Sequence, residues 1–300
     1  MKIAIAGGTG FVGNELSAFL ADNGNEVLIL TRSKKESDKS GVRFVEWMTD
    51  GAAPEKELEG IDAFINLAGK SINDRWTEEN KKEIVESRIK TTREVYRIID
   101  SLQKKPEVHV NASAVGIYGT SETETFTEES TPGASDFLSE TVMKWEQEAA
   151  EIGKLGVRTV FVRFGIILGD KGALPAIILP YKLFAGGTVG SGTQWMSWVH
   201  IHDVVRLIHF VMKDSTIEGP VNAVSPNPMQ MKEFGKTAAK VMNRPHWIPA
   251  PGFALKLALG ERSILVLEGQ RVIPKAAAEN GFTFTFPLLE DALSDLLKSR

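Results

Sequence analysis

Short apolar runs alternate with longer stretches of helical spacing through the first half of the chain. Lys2–Ala6, Glu26–Leu30, Val42–Glu46, Ala63–Leu67, Glu107–Asn111 and Arg158–Arg163 are brief and mostly built from Val, Ile, Leu, Ala and Phe. Runs of that length and makeup predict strands. Between them, Phe11–Asn23, Glu78–Leu102 and Ser139–Lys154 carry apolar residues three and four apart; Phe137, Val142, Trp145, Ala149 and Ile152, for example, fall on one face. Consecutive parallel strands need crossovers of a dozen or more residues, and most of these gaps supply them. The pattern predicts an α/β fold, a doubly wound parallel sheet of the Rossmann type with helices on both faces.

After about Gly169 the rhythm changes. Gly172–Gly192 is rich in Gly and Pro, Val204–Met212 reads as a helix that Asp203 would cap, and Gly219–Asn227 reads as a strand and turn. Met229–Met242 is helical, and the tail Pro249–Arg300 holds an apolar helix at Phe253–Leu259 and an amphipathic one at Leu288–Leu297. No low-complexity linker, charge block or repeat separates the halves. The expected division is a nucleotide-binding unit over 1–170, with parts of 195–225, and a smaller C-terminal α/β lobe, mainly 171–300, packed against it.

Composition narrows the partners. A chain of 300 residues, 42% hydrophobic and 25% charged, can bury one large core or a core plus a lobe. Its 35 basic and 39 acidic residues give a net charge of −4, so no basic field invites nucleic acid or an anionic membrane. A small-molecule partner is expected, and a homodimer is left open. The absence of cysteine excludes disulfides, thiolate metal sites and a Cys nucleophile. Lys2 precedes too short an apolar run for a targeting signal, and no run reaches the ~18 residues of a membrane span, so a soluble, cytoplasmic protein is expected.

The chemistry begins at Gly7-Gly8-Thr9-Gly10-Phe11-Val12-Gly13, between the first strand and first helix. There Gly7 can make the tight turn, Gly10 can let the backbone approach a pyrophosphate, and Gly13 can let helix and strand pack closely. The positive helix end then faces the diphosphate. The second strand ends in Leu30-Thr31-Arg32-Ser33, without the acid that usually holds the ribose 2′-hydroxyl of NAD. Arg32 offers a donor fork to a 2′-phosphate, with Thr31 and Ser33 as hydroxyl donors, so NADP(H) is favoured over NAD(H). Leu67, Ala68 and Gly69 follow the fourth strand, where small residues leave room for the ribose and nicotinamide.

These motifs, with Ser113 in NASAVGIYG and the segment WVHIHDVV at 198–205, resemble the extended short-chain dehydrogenase/reductases, the NAD-dependent epimerase/dehydratase superfamily. RWTEENKKEIVESRIKTT at 75–92, PGFALKLALGE and GQRVIPKAAAENGFTF resemble a narrower subgroup, the "epimerase family proteins" with a C-terminal domain of unknown function. The resemblance spans nearly the whole chain. It implies a Ser or Thr after strand five acting with Tyr-x-x-x-Lys on the next helix, the Tyr as general acid/base. Aligning Glu146 with the Glu that commonly follows that Lys puts Leu138 at the Tyr position and Val142 at the Lys position. Both are apolar. Either another group supplies the proton, with Tyr118 a surrogate and Ser113 retained as a candidate catalytic side chain, or the chain binds NADP(H) without catalysis, as a sensor or scaffold.

Polar residues for a pocket occur in two places. On the helix beginning near Thr77, Lys81, Ile84, Arg88 and Thr91 recur at helical spacing. In the superfamily this helix borders the nicotinamide side, which directs Arg88 to the cofactor and Ser87 to the cleft, with Arg75 and Trp76 closing over ligand. Farther on, Gln194, Trp195, Trp198 and His200 combine hydrogen-bonding groups with flat apolar surfaces, the mixture of a substrate pocket. His200 and His202 lack a partner set for metal. The favoured function is an NADP-dependent oxidoreductase or epimerase-like enzyme acting on a small polar, sugar-like substrate.

Overall fold

The computed structural model describes residues 1–33, 35–37, 39–133 and 136–298. Seven strands form one parallel sheet: β1 (Lys2–Ala6), β2 (Glu26–Thr31), β3 (Val42–Glu46), β4 (Ala63–Asn66), β5 (Val108–Ala114), β6 (Arg158–Phe164) and β7 (Gly219–Ala223). Their order is β7-β6-β5-β4-β1-β2-β3. In register, Ala6 lies beside Leu30 on one side and Asn66 on the other, so the carboxyl ends of β1, β2 and β4 are level. The chain leaves β1 toward β2 and β3, then returns to β4 on β1's other flank. That reversal opens a crevice beyond the carboxyl ends of β1 and β4.

The sheet is buried on both faces because its strands are apolar on both. One face packs Ile3, Ile5, Val110 and Val162 against α1 (Phe11–Asp22) and residues such as Val204 and Ile208. The other packs Ala4, Leu28 and Phe64 against Val95, Ile98 and Ile99 of α2 (Glu78–Ser101). The next helix, α3 (Phe137–Ala150), follows the same face as α2 and carries Trp145, whose indole Nε1 donates to Thr92 Oγ1 at 3.1 Å. A separate apolar cluster in the second half joins Tyr181, Trp198, Phe234 and Leu293.

The second half adds one helix that the sequence pattern did not predict and corrects one expected cap. The Gly/Pro-rich stretch contains a helix, α4 (Leu174–Lys182), with a proline in its first turn, where no backbone donor is needed, and Pro180 inside it. Burial of Leu174, Ile178 and Tyr181 offsets the bond that Pro180 forgoes. The following helix, α5 (Ile201–Lys213), starts earlier than expected, and its cap is His200, whose Nδ1 accepts from His202 N at 3.1 Å. Asp203 is instead fully buried and accepts from the backbone of Thr285 and Phe286, both at 2.8 Å, pinning the tail to α5. The remaining longer helices are α6 (Met231–Met242), α7 (Gly252–Leu259) and α8 (Leu289–Lys298). Among the described residues no helix is long and apolar enough to cross a membrane.

Candidate functional site

The glycine turn shows why each glycine stands where it does. Gly7 has φ +79°, and a Cβ there would meet the Leu67 carbonyl carbon and oxygen at 2.7 Å. A Cβ on Gly13 would lie 2.2 Å from Gly7 O. The fold itself therefore requires both. Gly10 differs, since its Cβ would meet only Gly7 O within 4 Å, at 3.3 Å. What a side chain at Gly10 would fill is the cleft. Gly10 is itself the N-cap of α1 and brings no side-chain acceptor, so the first-turn N–H groups and positive end of α1 are left to that space. This cradle fits a dinucleotide diphosphate.

Two clefts of about 800 and 600 Å³ adjoin the turn and share Gly7, Gly10, Leu67 and Gly69. Each is in the size range of small-molecule sites, so together they have room for a dinucleotide and a second ligand. The outer one is bordered by Thr9, Thr31, Arg32, Ser33, Ala68 and Ser87. Lys35 and Lys90 join them; sequence reasoning passed over both, although the run Arg32-Ser33-Lys34-Lys35 is visibly basic. The acids of this wall come from α2 and are already paired, Glu83 with Lys70 and Glu86 with Lys82 and Lys90.

The inner cleft brings together Phe11, Val12, Gly13, Arg88, Ser113 and Trp195. Leu138 and Val142 line it as well, one helical turn apart on α3. Ser113, near the end of β5, donates to Glu146 Oε1 at 2.5 Å. Arg163 grips the same carboxylate through two bonds of 2.8 Å, and its third nitrogen donates to the Tyr118 oxygen at 2.8 Å. Glu146 and Arg163 were not expected as site residues; a charged residue near the carboxyl end of a buried strand was the available signal. Arg88 donates through Nη1 to the carbonyls of Lys70 and Ile84, at 3.1 and 2.9 Å, and lies over the Trp145 ring.

Several expected pocket residues stand elsewhere. Tyr118 is buried, with its hydroxyl between Arg163 and Asn222 Oδ1, and burial raises its pKa. It does not line the inner cleft, so its expected role as surrogate acid is corrected. Gln194 is buried and donates to the carbonyls of Val189 and Val266. Trp198 is fully buried, its indole donating to Asn227 O, and His200 stacks on Phe286 with ring centroids 4.0 Å apart. These three belong to packing, and only Trp195 of the four lines the cleft. Arg75 is exposed, and Trp76 donates to Ile72 O while packing edge-on against Phe137; neither borders either cleft, although Ile72 does. Among the described residues no group of three or more His, Cys, Asp or Glu could hold a metal ion.

Comparison with known proteins agrees with this geometry. The chain is 52% identical to the epimerase family protein YfhF of Bacillus subtilis, over 100% of this chain and 99% of that one. Among solved structures it resembles human epimerase family protein SDR39U1 with NADPH, at TM-score 0.88 and 32% identity over the whole of both chains. It also resembles a nucleoside-diphosphate sugar epimerase from Corynebacterium glutamicum, at TM-score 0.80 and 32% identity, covering 100% of this chain and 59% of that one. Residues 250–296 match a domain of unknown function (DUF1731), and residues 3–223 match the model of the NAD dependent epimerase/dehydratase family. The chain belongs to the NAD dependent epimerase/dehydratase family.

Proposed function

We propose that the chain is an NADP(H)-dependent oxidoreductase or epimerase-like enzyme acting on a small polar, sugar-like substrate. The observation that carries the cofactor preference is the end of β2. Arg32 stands exposed at the outer cleft beside Lys35, and the acids there belong to other cations. A guanidinium with no carboxylate partner among the described residues suits a 2′-phosphate, which it can grip with two parallel bonds, and has nothing comparable to offer a 2′-hydroxyl. The relative solved with NADPH is consistent with this preference.

When bound, the cofactor supplies hydride exchange at its nicotinamide. The chain's own part follows from the Ser113 network. Arg163 donates to both oxygens of Glu146, which act as acceptors. Ser113 must therefore donate to it, and the serine lone pairs are left for the cleft. Ser113 thus accepts from a ligand hydroxyl. A proton leaving that hydroxyl has a hydrogen-bonded route through Ser113 to Glu146, while Leu138 and Val142 keep the adjoining wall dry.

Arg32→Ala tests the reading. Titration by fluorescence is expected to show NADPH affinity falling about tenfold or more, the value of one or two charge-assisted bonds, with NADH affinity nearly unchanged. Equal losses for the two cofactors would overturn the preference.

A further inference from the structure

Among the described residues lining the inner cleft Arg88 is the one cation, and the two carboxylates there are engaged elsewhere, Asp136 in capping α3 and Glu268 with Thr120. Its two protein bonds run from Nη1 to neutral carbonyls, of Lys70 and Ile84. Among the described residues no carboxylate pairs with it; Glu83 and Glu86, its neighbours on α2, hold Lys70, Lys82 and Lys90 instead. Surrounding protein desolvates the guanidinium and lowers its pKa to about 10, which leaves it cationic at neutral pH. Nε and Nη2 carry three further N–H donors with no acceptor among the described residues. Neither atom is fully enclosed, for neither is among the sealed polar atoms without a partner. Leaving a desolvated charge uncompensated is costly, and a chain that keeps one beside an open cleft has built a receptor for an anion.

The surroundings hold that receptor in place. A Cβ on Gly69 would lie 3.3 Å from Arg88 Cγ and Cζ, so glycine there lets the guanidinium lie flat against the backbone. On its other side is the Trp145 ring, 5.0 Å from Cζ to the centroid, and that indole is itself fixed by its bond to Thr92. The side chain is clamped between a backbone and an aromatic face, and it lines the same cleft as Ser113.

We infer that the inner cleft takes an anionic small molecule, one bearing a carboxylate or phosphate, with Arg88 as its anchor. The inference rests on the cofactor reading, in which Arg32 holds the 2′-phosphate at the outer cleft and the nicotinamide reaches the inner one, and it makes Arg88 the mark of a second, acidic ligand beside it. A ligand that also offers a hydroxyl to Ser113 would meet complementary groups at both points.

The test uses the whole chain with saturating NADP+, which occupies the Arg32 site, and reads the melting temperature with malonate or inorganic phosphate against chloride of equal ionic strength. Wild type is expected to be stabilised by malonate, phosphate or both, and Arg88→Gln to lose that shift. Arg88→Lys, which keeps the charge and loses the fork, should retain part of it. NADPH affinity should stay within about threefold in both variants, since a charge-assisted anchor lost from the cofactor would cost more. Arg88→Gln that binds NADPH about tenfold more weakly would assign the guanidinium to the cofactor and overturn the inference. So would equal anion shifts in wild type and Arg88→Gln, or no shift in wild type. A failure of NADPH to bind wild type would sink the cofactor reading alone, because the anion arm, repeated on Arg32→Ala without cofactor, still reads Arg88.

Discussion

His109 is the side chain whose behaviour follows most directly from its place. It lies on β5 between Phe64 of β4 and Thr159 of β6, fully buried, and neither ring nitrogen finds a partner among the described residues. Burial pushes its pKa down to about 3. The folded chain therefore keeps it neutral while the unfolded chain, with an ordinary His pKa of about 6.5, binds a proton. Below pH 6.5 the unfolded state holds the extra proton, so stability falls as pH falls, by about 1.4 kcal/mol per unit until the folded pKa is reached. Above that window the group contributes no pH dependence. His109→Leu is expected to remove this slope, retaining about 2 kcal/mol more of its neutral-pH stability than wild type at about pH 5. Urea unfolding at that pH and at about pH 7.5 decides it, and parallel pH dependence in the two proteins would place the acid sensitivity elsewhere. That Arg32 and Ser113 would border clefts was legible in the sequence, because the crevice of such a sheet lies beyond its strand ends. His109 was not, since a polar residue inside a run of strand residues gives no sign of whether it has partners.

The helix α3 shows how much an element can carry. Asp136 accepts from Leu138 N and Ser139 N at 2.7 and 3.0 Å, and Ser139 Oγ bonds back to the Asp136 backbone. The cap fixes where the helix begins, and with it the face that Leu138, Val142 and Trp145 turn to the inner cleft. The spacing puts Val142 and Trp145 on one face with Phe137, but Leu138 joins them at the cleft while Phe137 packs against Trp76; with Leu138 and Val142 apolar, Ser113 bonds to Glu146 rather than to a phenol on this helix. Leu138→Tyr with Val142→Lys is therefore expected to add polar groups to the cleft without breaking an existing network. The introduced ammonium would be desolvated in a cleft that already holds Arg88, so the free variant should melt lower than its parent. NADP(H) should raise its melting temperature more than the parent's, because cofactor hydroxyls would satisfy the new groups. A smaller cofactor shift in the double variant would refute the matching of these two positions to the family's Tyr and Lys. Helix α4 was illegible for the opposite reason: its prolines are breakers by local rule, and only packing against the second-half core makes them tolerable.

The whole chain completes the site by folding back on itself. Ile264, Leu265, Gly269 and Gln270, close to the C-terminal end, line the inner cleft opposite the glycine turn at the N-terminal end. What holds them there is the seam with residues 194–197. Gln194 donates to Val266 O, Ser197 Oγ donates to Gln270 O, and Val272 N donates back to Ser197 Oγ. Gln194 was expected in the pocket and instead stands behind its wall, because the polar groups that suggest ligand binding in a sequence serve equally to bind backbone. The long-range pairing of Arg271–Val272 with Thr125–Phe126 left no periodic signal at all. At the tightest point a Cβ on Gly269 would lie 2.0 Å from Trp195 O, a backbone atom that cannot swing aside. Gly269→Ala must push the 264–270 segment off the seam. It is expected to cost about 1–3 kcal/mol in urea unfolding, as overpacking does, and to weaken the malonate or phosphate shift by moving the wall that encloses the anion. Gly153→Ala, at a site with nothing within 4 Å and no positive φ, is the matched control and should change neither. If Gly269→Ala lost stability yet kept the full anion shift, the C-terminal wall would be packing alone, and the ligand would be held by the sheet side of the cleft.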